Sequence, residues 1–222
     1  MRSGGRMPIL GLGTYKATLN KVSAAVDCAL TVGYRHIDGA AAYMNEEAIG
    51  DALQHHLNKG TIKRKDIFIT TKLPSHVLHS QKAMKEVLEK SLDALKLTYV
   101  DMYLVHTPWC VKITGDDQRV PNPDSDILTV WQTMEAFHSD GKAKSIGLSN
   151  FSVRFINKIL GVAKVFPENL QLECHPYLNQ KNLRRFCAEH QIVVTAYAPL
   201  GSPARSSWYR TTELPNVLED PM

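Results

Sequence analysis

The sequence of 222 residues holds four cysteines, Cys28, Cys110, Cys174 and Cys187, and none of them forms a CxxC pair or a framework spacing. A disulfide scaffold and a cysteine metal site therefore have no support, and reduced thiols in a cytoplasmic protein fit best. Cys28 and Cys187 fall inside helical patterns and read as small buried apolar groups. No run of 18 apolar residues exists, so no segment reads as a membrane-spanning helix. The N-terminal "MRSGGRMPIL" carries two arginines but lacks the apolar centre of a secretory signal. Charge is also nearly balanced. The net +4 comes from Lys and Arg scattered among Asp and Glu, which reads as a solvated surface and not a nucleic-acid patch. A modest pull toward anionic ligands, such as a phosphorylated cofactor, remains compatible with it.

The last absence is the GxGxxG fingerprint of a dinucleotide-binding sheet. The early glycines read "GLGTYK", with Lys16 where the third glycine belongs, and no clear strand-to-helix unit follows. What the chain does contain is a repeated strand and helix. Strand-like runs are "RHID" (35–38), "IFITTK" (67–72), "VDMYLVH" (100–106), "KSIGLSN" (144–150), "NLQLE" (169–173) and "IVVTAY" (192–197). Helical patterns lie at Lys21–Val32, with Val22, Ala25, Val26 and Ala29 on one stripe, and at Glu46–Lys59, Gln81–Lys96, Asp126–Asp140, Ser152–Ala163 and Lys181–His190. Ser152 suits an N-cap.

Alternating strands and helices imply a parallel sheet covered by helices. Reactive residues gather at the C-terminal ends of the strands: Asp38, Lys72, His106, Ser149, Asn150, Gln171 and Tyr197. That rim is where a (β/α)8 barrel builds its site, so the barrel is preferred to an open doubly wound sheet. Only about six βα units are legible, where eight close the ring.

Asp38, Tyr43, Lys72 and His106 form a chemically coherent set. A phenol is a poor proton donor at neutral pH, since its reference pKa is about 10. An ammonium beside it favours the phenolate, and an aspartate holds that ammonium in place. A histidine can hydrogen-bond the carbonyl oxygen that receives the proton. Each residue also has a plain structural reading: a strand-end cap, a core aromatic, a rim charge, a satisfied polar group. Spacing alone does not choose between them.

Seven segments in order, "MPILGLGTYK", "GYRHIDGAAAYMNE", "IFITTKL", "DMYLVHTP", "IGLSNF", "QLECHPYLNQ" and "VTAYAPLGSP", resemble the aldo-keto reductase superfamily, in its aldose and aldehyde reductase branch. The resemblance runs nearly the whole chain. It implies a single (β/α)8 barrel domain over 1–222 that reduces aldehydes or ketones with NADPH. It implies Tyr43 as proton donor, Lys72 and Asp38 as the groups that tune it, and His106 as the group that orients the carbonyl. The nicotinamide would lie on Tyr197 with its carboxamide held by Ser149, Asn150 and Gln171. Gly13, Thr14 and Tyr15 would line the edge of cofactor and substrate, and Leu200 and Ser202 belong to the loop over the pyrophosphate. No metal is implied. The implied partner is a small carbonyl substrate, with no membrane or nucleic acid, and the protein would be a cytoplasmic monomer.

The sequence departs from this pattern in places. Tyr15 stands where the branch has a tryptophan, and Thr107 stands in its "HWP", with Trp109 two places on, so Tyr15, His106 and Trp109 define an altered substrate pocket. Residues 109–125 match a lid whose Gly, Pro and Asp content suits a mobile surface segment. The N-terminal hairpin that plugs the barrel is shortened. The last two units, which carry the contacts to the adenosine 2′-phosphate, have no counterpart, so the barrel is expected to be incomplete at its C-terminus. Two alternatives follow: an inactive shortened form that binds cofactor poorly, and a non-catalytic binding role on the same barrel.

Overall fold

Strands of a parallel sheet alternate with helices that cover its outer face in the computed structural model, which describes residues 1–115, 118–202 and 218. The chain runs β1 (Leu12–Gly13), α1 (Leu19–Thr31), β2 (His36–Asp38), α2 (Glu46–Asn58), β3 (Phe68–Leu73), α3 (Gln81–Leu95) and β4 (Val100–Val105). A hairpin, β5 (Val111–Thr114) and β6 (Gln118–Pro121), leads to α4 (Ile127–Ser139) and β7 (Ala143–Ser149). Then come α5 (Val153–Leu160), β8 (Asn169–Glu173), α6 (Lys181–Glu189) and β9 (Val193–Tyr197). Among the described residues seven parallel strands form one sheet in the order β1-β2-β3-β4-β7-β8-β9. The arrangement is a nearly closed part of a (β/α)8 barrel: six strand–helix units and a seventh strand. No helix among the described residues is long and apolar enough to cross a membrane.

The strand that periodicity missed is β1. It is two residues long and lies in "GLG", too short for an alternation to register, and α1 does follow it. Two helix details differ as well. On α1 the buried stripe is Val22, Val26, Ala29 and Leu30; Ala25 faces solvent, and so does Cys28, one helical step off the stripe. Cys187 is buried as expected. Ser152 does occupy the N-cap of α5, but its side chain makes no cap hydrogen bond. The segment 109–125, matched to a lid, contains the β5–β6 hairpin.

Register explains how the sheet divides its two faces. Successive strand residues point to opposite sides, and Asp38 pairs with Thr70, Lys72 with Leu104, and Gly147 with Leu104. Asp38, Lys72, His106, Ser149, Gln171 and Tyr197 therefore share the inner face. Ile37, Ile69, Tyr103, Val105, Ile146, Leu148, Leu170 and Leu172 share the outer face and join the helices in one large core. A smaller inner core of Phe68, Met102 and Leu104 is capped by Met1 and Met7. The short N-terminal segment thus still plugs the bottom of the barrel. Its Ser3 amide donates to the buried Glu168 carboxylate, which also accepts from Ser145 Oγ, each at 3.0 Å.

In the outer layer α2 and α3 approach closely at Gly50. A Cβ on Gly50 would fall well inside contact distance of the Ala94 carbonyl oxygen and 2.9 Å from Leu95 Cα. Glycine within a helix costs about 1 kcal/mol against alanine, so this one is explained by the close approach of the α3 backbone. Gly50→Ala is expected to lower stability by about 1–3 kcal/mol despite its better helix propensity. Urea denaturation measures this directly, and a variant as stable as the parent would show that the two helices part at little cost.

Candidate active site

The rim at the C-terminal ends of the strands is built around a fully buried lysine. Lys72, near the end of β3, has no exposed surface, and its Nζ donates to Asp38 Oδ1 at 2.5 Å, to the Gly39 carbonyl at 2.8 Å and to the Tyr43 hydroxyl at 3.4 Å. Burial alone would pull the ammonium down. The Asp38 carboxylate and the Tyr43 phenol outweigh it and hold the Lys72 pKa above its ordinary value. Lys72 therefore stays charged. Asp38 closes the next link, since its Oδ2 accepts from Gln171 Nε2 at 2.7 Å.

Tyr43 ends a short 3-10 turn, Ala41–Tyr43, that follows β2, and Met44 after it takes a left-handed backbone with φ 57°. This bend directs the phenol back over the strand ends. Its ring lies 5.0 Å from the Tyr15 ring and 5.7 Å from the His106 imidazole, centroid to centroid. Here the electrostatics differ from the sequence expectation. Burial raises the Tyr43 pKa, Lys72 lowers it and Asp38 raises it again, and the net direction is upward. The ammonium acts in the expected direction but burial is the larger effect, so Tyr43 is held firmly as a phenol.

His106 follows directly on β4. Burial and the Lys72 charge outweigh Asp38 and push the imidazole down to about 4, so it is neutral around pH 7. The His106 carbonyl accepts from Asn150 Nδ2 at 2.9 Å, and the same amide reaches Ser149 Oγ at 3.1 Å. Asn150 has φ 64°, a left-handed turn at the end of β7 that brings its Oδ1 under the Tyr197 hydroxyl at 2.9 Å. On the other side Thr14 donates to the Asp38 carbonyl through both its amide (3.1 Å) and its hydroxyl (2.9 Å).

Hydrogen bonds and ring contacts thus join Asp38, Tyr43, Lys72, His106, Thr14, Tyr15, Ser149, Asn150, Gln171 and Tyr197, and Gly13 pairs with Asp38 in the sheet. Trp109, Leu200 and Ser202 are not tied to this network by any hydrogen bond or ring contact among the described residues. Trp109 is 57% exposed, Leu200 is exposed, and Ser202 stands beside Gly201 in a left-handed stretch with φ 51°. Two participants carried no sequence signal as such. The Gly39 carbonyl is a backbone group, which no residue type announces. Asn45 precedes α2 as an N-cap would, but its amide donates to the carbonyls of Thr14 (2.9 Å) and Ala17 (3.1 Å) instead of capping the helix.

Residues 9–221 match the sequence profile of the Aldo/keto reductase family. Among curated proteins, aldo-keto reductase family 1 member A1 from Gallus gallus is 45% identical over 227 residues, 99% of this chain and 68% of that protein. The human protein of the same description is 41% identical over 230 residues, 100% of this chain and 70% of its own length. Among solved structures, the aldose reductase from Schistosoma japonicum superposes with a TM-score of 0.86 at 36% identity, covering 95% of this chain and 74% of that one. That from Giardia lamblia gives 0.84 at 34%, covering 88% and 67%. The fold and the site therefore define an oxidoreductase that acts on carbonyl compounds. The chain belongs to the aldo/keto reductase family.

The depressed pKa of His106 has a consequence for stability. The unfolded imidazole titrates near 6.5 and the folded one near 4, so the unfolded chain binds the extra proton first as pH falls. The contribution is whole above about pH 6.5 and is lost as pH falls through about 4, amounting to about 3 kcal/mol. An NMR titration is expected to show His106 neutral down to about pH 5. Urea unfolding of His106→Asn should be correspondingly less sensitive to acid, and an imidazole titrating at its ordinary value would contradict the burial.

Proposed function

We propose that the protein reduces aldehydes and ketones to alcohols with NADPH, with Tyr43 as the general acid. The observation that carries this reading is the Tyr43 hydroxyl, hydrogen-bonded to a buried lysine that Asp38 and Gly39 lock in place. The domain is read as one barrel, working as a cytoplasmic monomer on small carbonyl substrates.

The residues at the rim fit a nicotinamide. A carboxamide needs a donor for its oxygen and an acceptor for its NH2 group. The Ser149 hydroxyl accepts from Asn150, which leaves its proton to donate. Gln171 uses Nε2 on Asp38, which leaves its Oε1 to accept. The half-exposed Tyr197 ring, with its hydroxyl pinned to Asn150, offers a flat apolar wall beside them. Gly201 and Ser202, both at positive φ, turn the backbone next to Leu200, and since the Gly201 amide already donates to the Ala198 carbonyl at 2.8 Å, we assign the phosphate side to the Ser202 end of this turn. When bound, NADPH supplies the hydride.

The chain's own residues handle the proton. Neutral His106 can donate one N–H to the substrate oxygen and fix its direction. As negative charge grows on that oxygen, Tyr43 gives up its hydroxyl proton to it. The phenolate left behind is stabilised by Lys72, whose buried charge acts more strongly than it would in water. Asp38 keeps that charge in position throughout. A purely binding role would not require this set, which is why it is not preferred.

With NADPH and a reactive aromatic aldehyde, the protein should consume NADPH absorbance. Tyr43→Phe is expected to lower kcat by about 10²–10⁴-fold, with NADPH still quenching the intrinsic fluorescence. Undiminished turnover in that variant would remove Tyr43 as the acid. Lys72→Met is expected to lose a similar factor, because it leaves the phenolate without its counter-charge.

A further inference from the structure

A second carboxylate lies buried just across β3 from the site. Glu46, the first residue of α2, is three positions after Tyr43 in the chain. Its Oε1 accepts from Thr71 Oγ1 at 2.5 Å and its Oε2 from Ser91 Oγ of α3 at 2.8 Å. Thr71 points outward from β3 at the position directly before Lys72. The carboxylate and both hydroxyl partners are buried. An acid in the first turn of a helix is favourable in any case, but the neighbouring Glu47 supplies that from an exposed position. Burying a carboxylate costs several kcal/mol that an apolar residue would avoid, so helix packing alone does not explain it.

What the link does is geometric. It joins the turn that carries Tyr43 to the strand that carries Lys72, one residue away from the lysine. The Tyr43–Lys72 hydrogen bond, at 3.4 Å, sits at the long end of the useful range, so a small drift of the turn would break it. Asn45 fastens the same turn on its other side through Thr14 and Ala17. We propose that Glu46 is a positioning residue for the reaction: through Thr71 and Ser91 it holds the Tyr43 phenol against the Lys72 ammonium without touching the substrate. This rests on the reading of Tyr43 as the acid.

Burial raises the Glu46 pKa, while Thr71, Ser91 and the Lys72 charge draw it back. The groups around Glu46 are Thr71 from β3, Ser91 from α3 and Tyr103 from β4, the last with a buried hydroxyl that has no hydrogen-bond partner among the described residues, and the Lys72 charge acts on it from the other face of β3. Those facing Tyr43 are Lys72, Asp38, Tyr15 and His106.

The test separates charge from position by titrating the Tyr43 ring with carbon-13 NMR, assigned by its loss in Tyr43→Phe. Glu46→Gln removes the charge but keeps a carboxamide that can bridge both hydroxyls. Losing a negative charge alone leaves the Tyr43 titration unmoved or shifts it down. Glu46→Leu breaks the link, the phenol drifts from the ammonium, and the titration is expected to move up. In steady state Glu46→Leu should lose about tenfold or more in kcat with KM within about twofold, and Glu46→Gln should recover most of that loss. If Glu46→Leu folds poorly, Glu46→Leu with Thr71→Val and Ser91→Ala leaves no orphaned hydroxyl of the link, and it should show the same upward shift and loss. A Tyr43 titration that does not rise in the leucine variant, or glutamine behaving like leucine, overturns the proposal. The Tyr43 reading fails separately, if Tyr43→Phe turns over normally, because the ring titration reports position whether or not Tyr43 is the acid.

Discussion

An ammonium sealed from water has to be answered by the protein itself, and the answer to Lys72 organises the top of this barrel. Removing one partner of such a buried pair leaves the other uncompensated, at about 3–5 kcal/mol. The fold meets the need with three acceptors drawn from separate places: the Asp38 carboxylate at the end of β2, the Gly39 carbonyl just beyond it, and the Tyr43 hydroxyl on the turn that follows. Because Asp38 also accepts from Gln171, the charge network reaches from β3 to β8 across the inside of the sheet. The reactive geometry is thus the arrangement in which the charge of Lys72 is satisfied.

The strand period assigns the work. On β3, Thr71 faces the helices and Lys72 faces the interior; on β4, Tyr103 packs outward while Leu104 and, past the strand end, His106 turn inward. Outer residues are almost all apolar and bind the helices to the sheet. Inner residues change character along the barrel, from Phe68, Met102 and Leu104 below to charged and polar groups at the rim. A one-residue slip of any strand would exchange the two sets. The large outer core therefore fixes the site as well as the fold.

Much of this was legible in the residues. Six strands and six helices follow from alternation and helical period, and the rim residues stand where those strands end. The missed strand, Leu12–Gly13, is held by its partner β2 and not by a pattern of its own, so a single sequence has nothing to display there. A helical pattern surrounds Cys28 and suggests the core, although its position on the helix, one step off the stripe, decides otherwise. The direction of the Tyr43 pKa could not be read from residue types, since it turns on the extent of burial against the nearness of one charge. Gly39 enters through its carbonyl, and Glu46 and Asn45 through contacts made far along the chain.

The two-residue strand β1 has an unusual dependence. Its ladder with β2 has only two residue pairs, and the residue after it, Thr14, is held at three points: amide and hydroxyl on the Asp38 carbonyl, and its own carbonyl under Asn45. Asp38 therefore works through both of its halves, side chain to Lys72 and backbone to Thr14. This edge stave is fastened by the residue that fastens the buried charge, so local opening of this edge and loss of the site are one cooperative event. A stave this short would fray if its ladder alone held it; here it shares the protection of the barrel's most strongly held point.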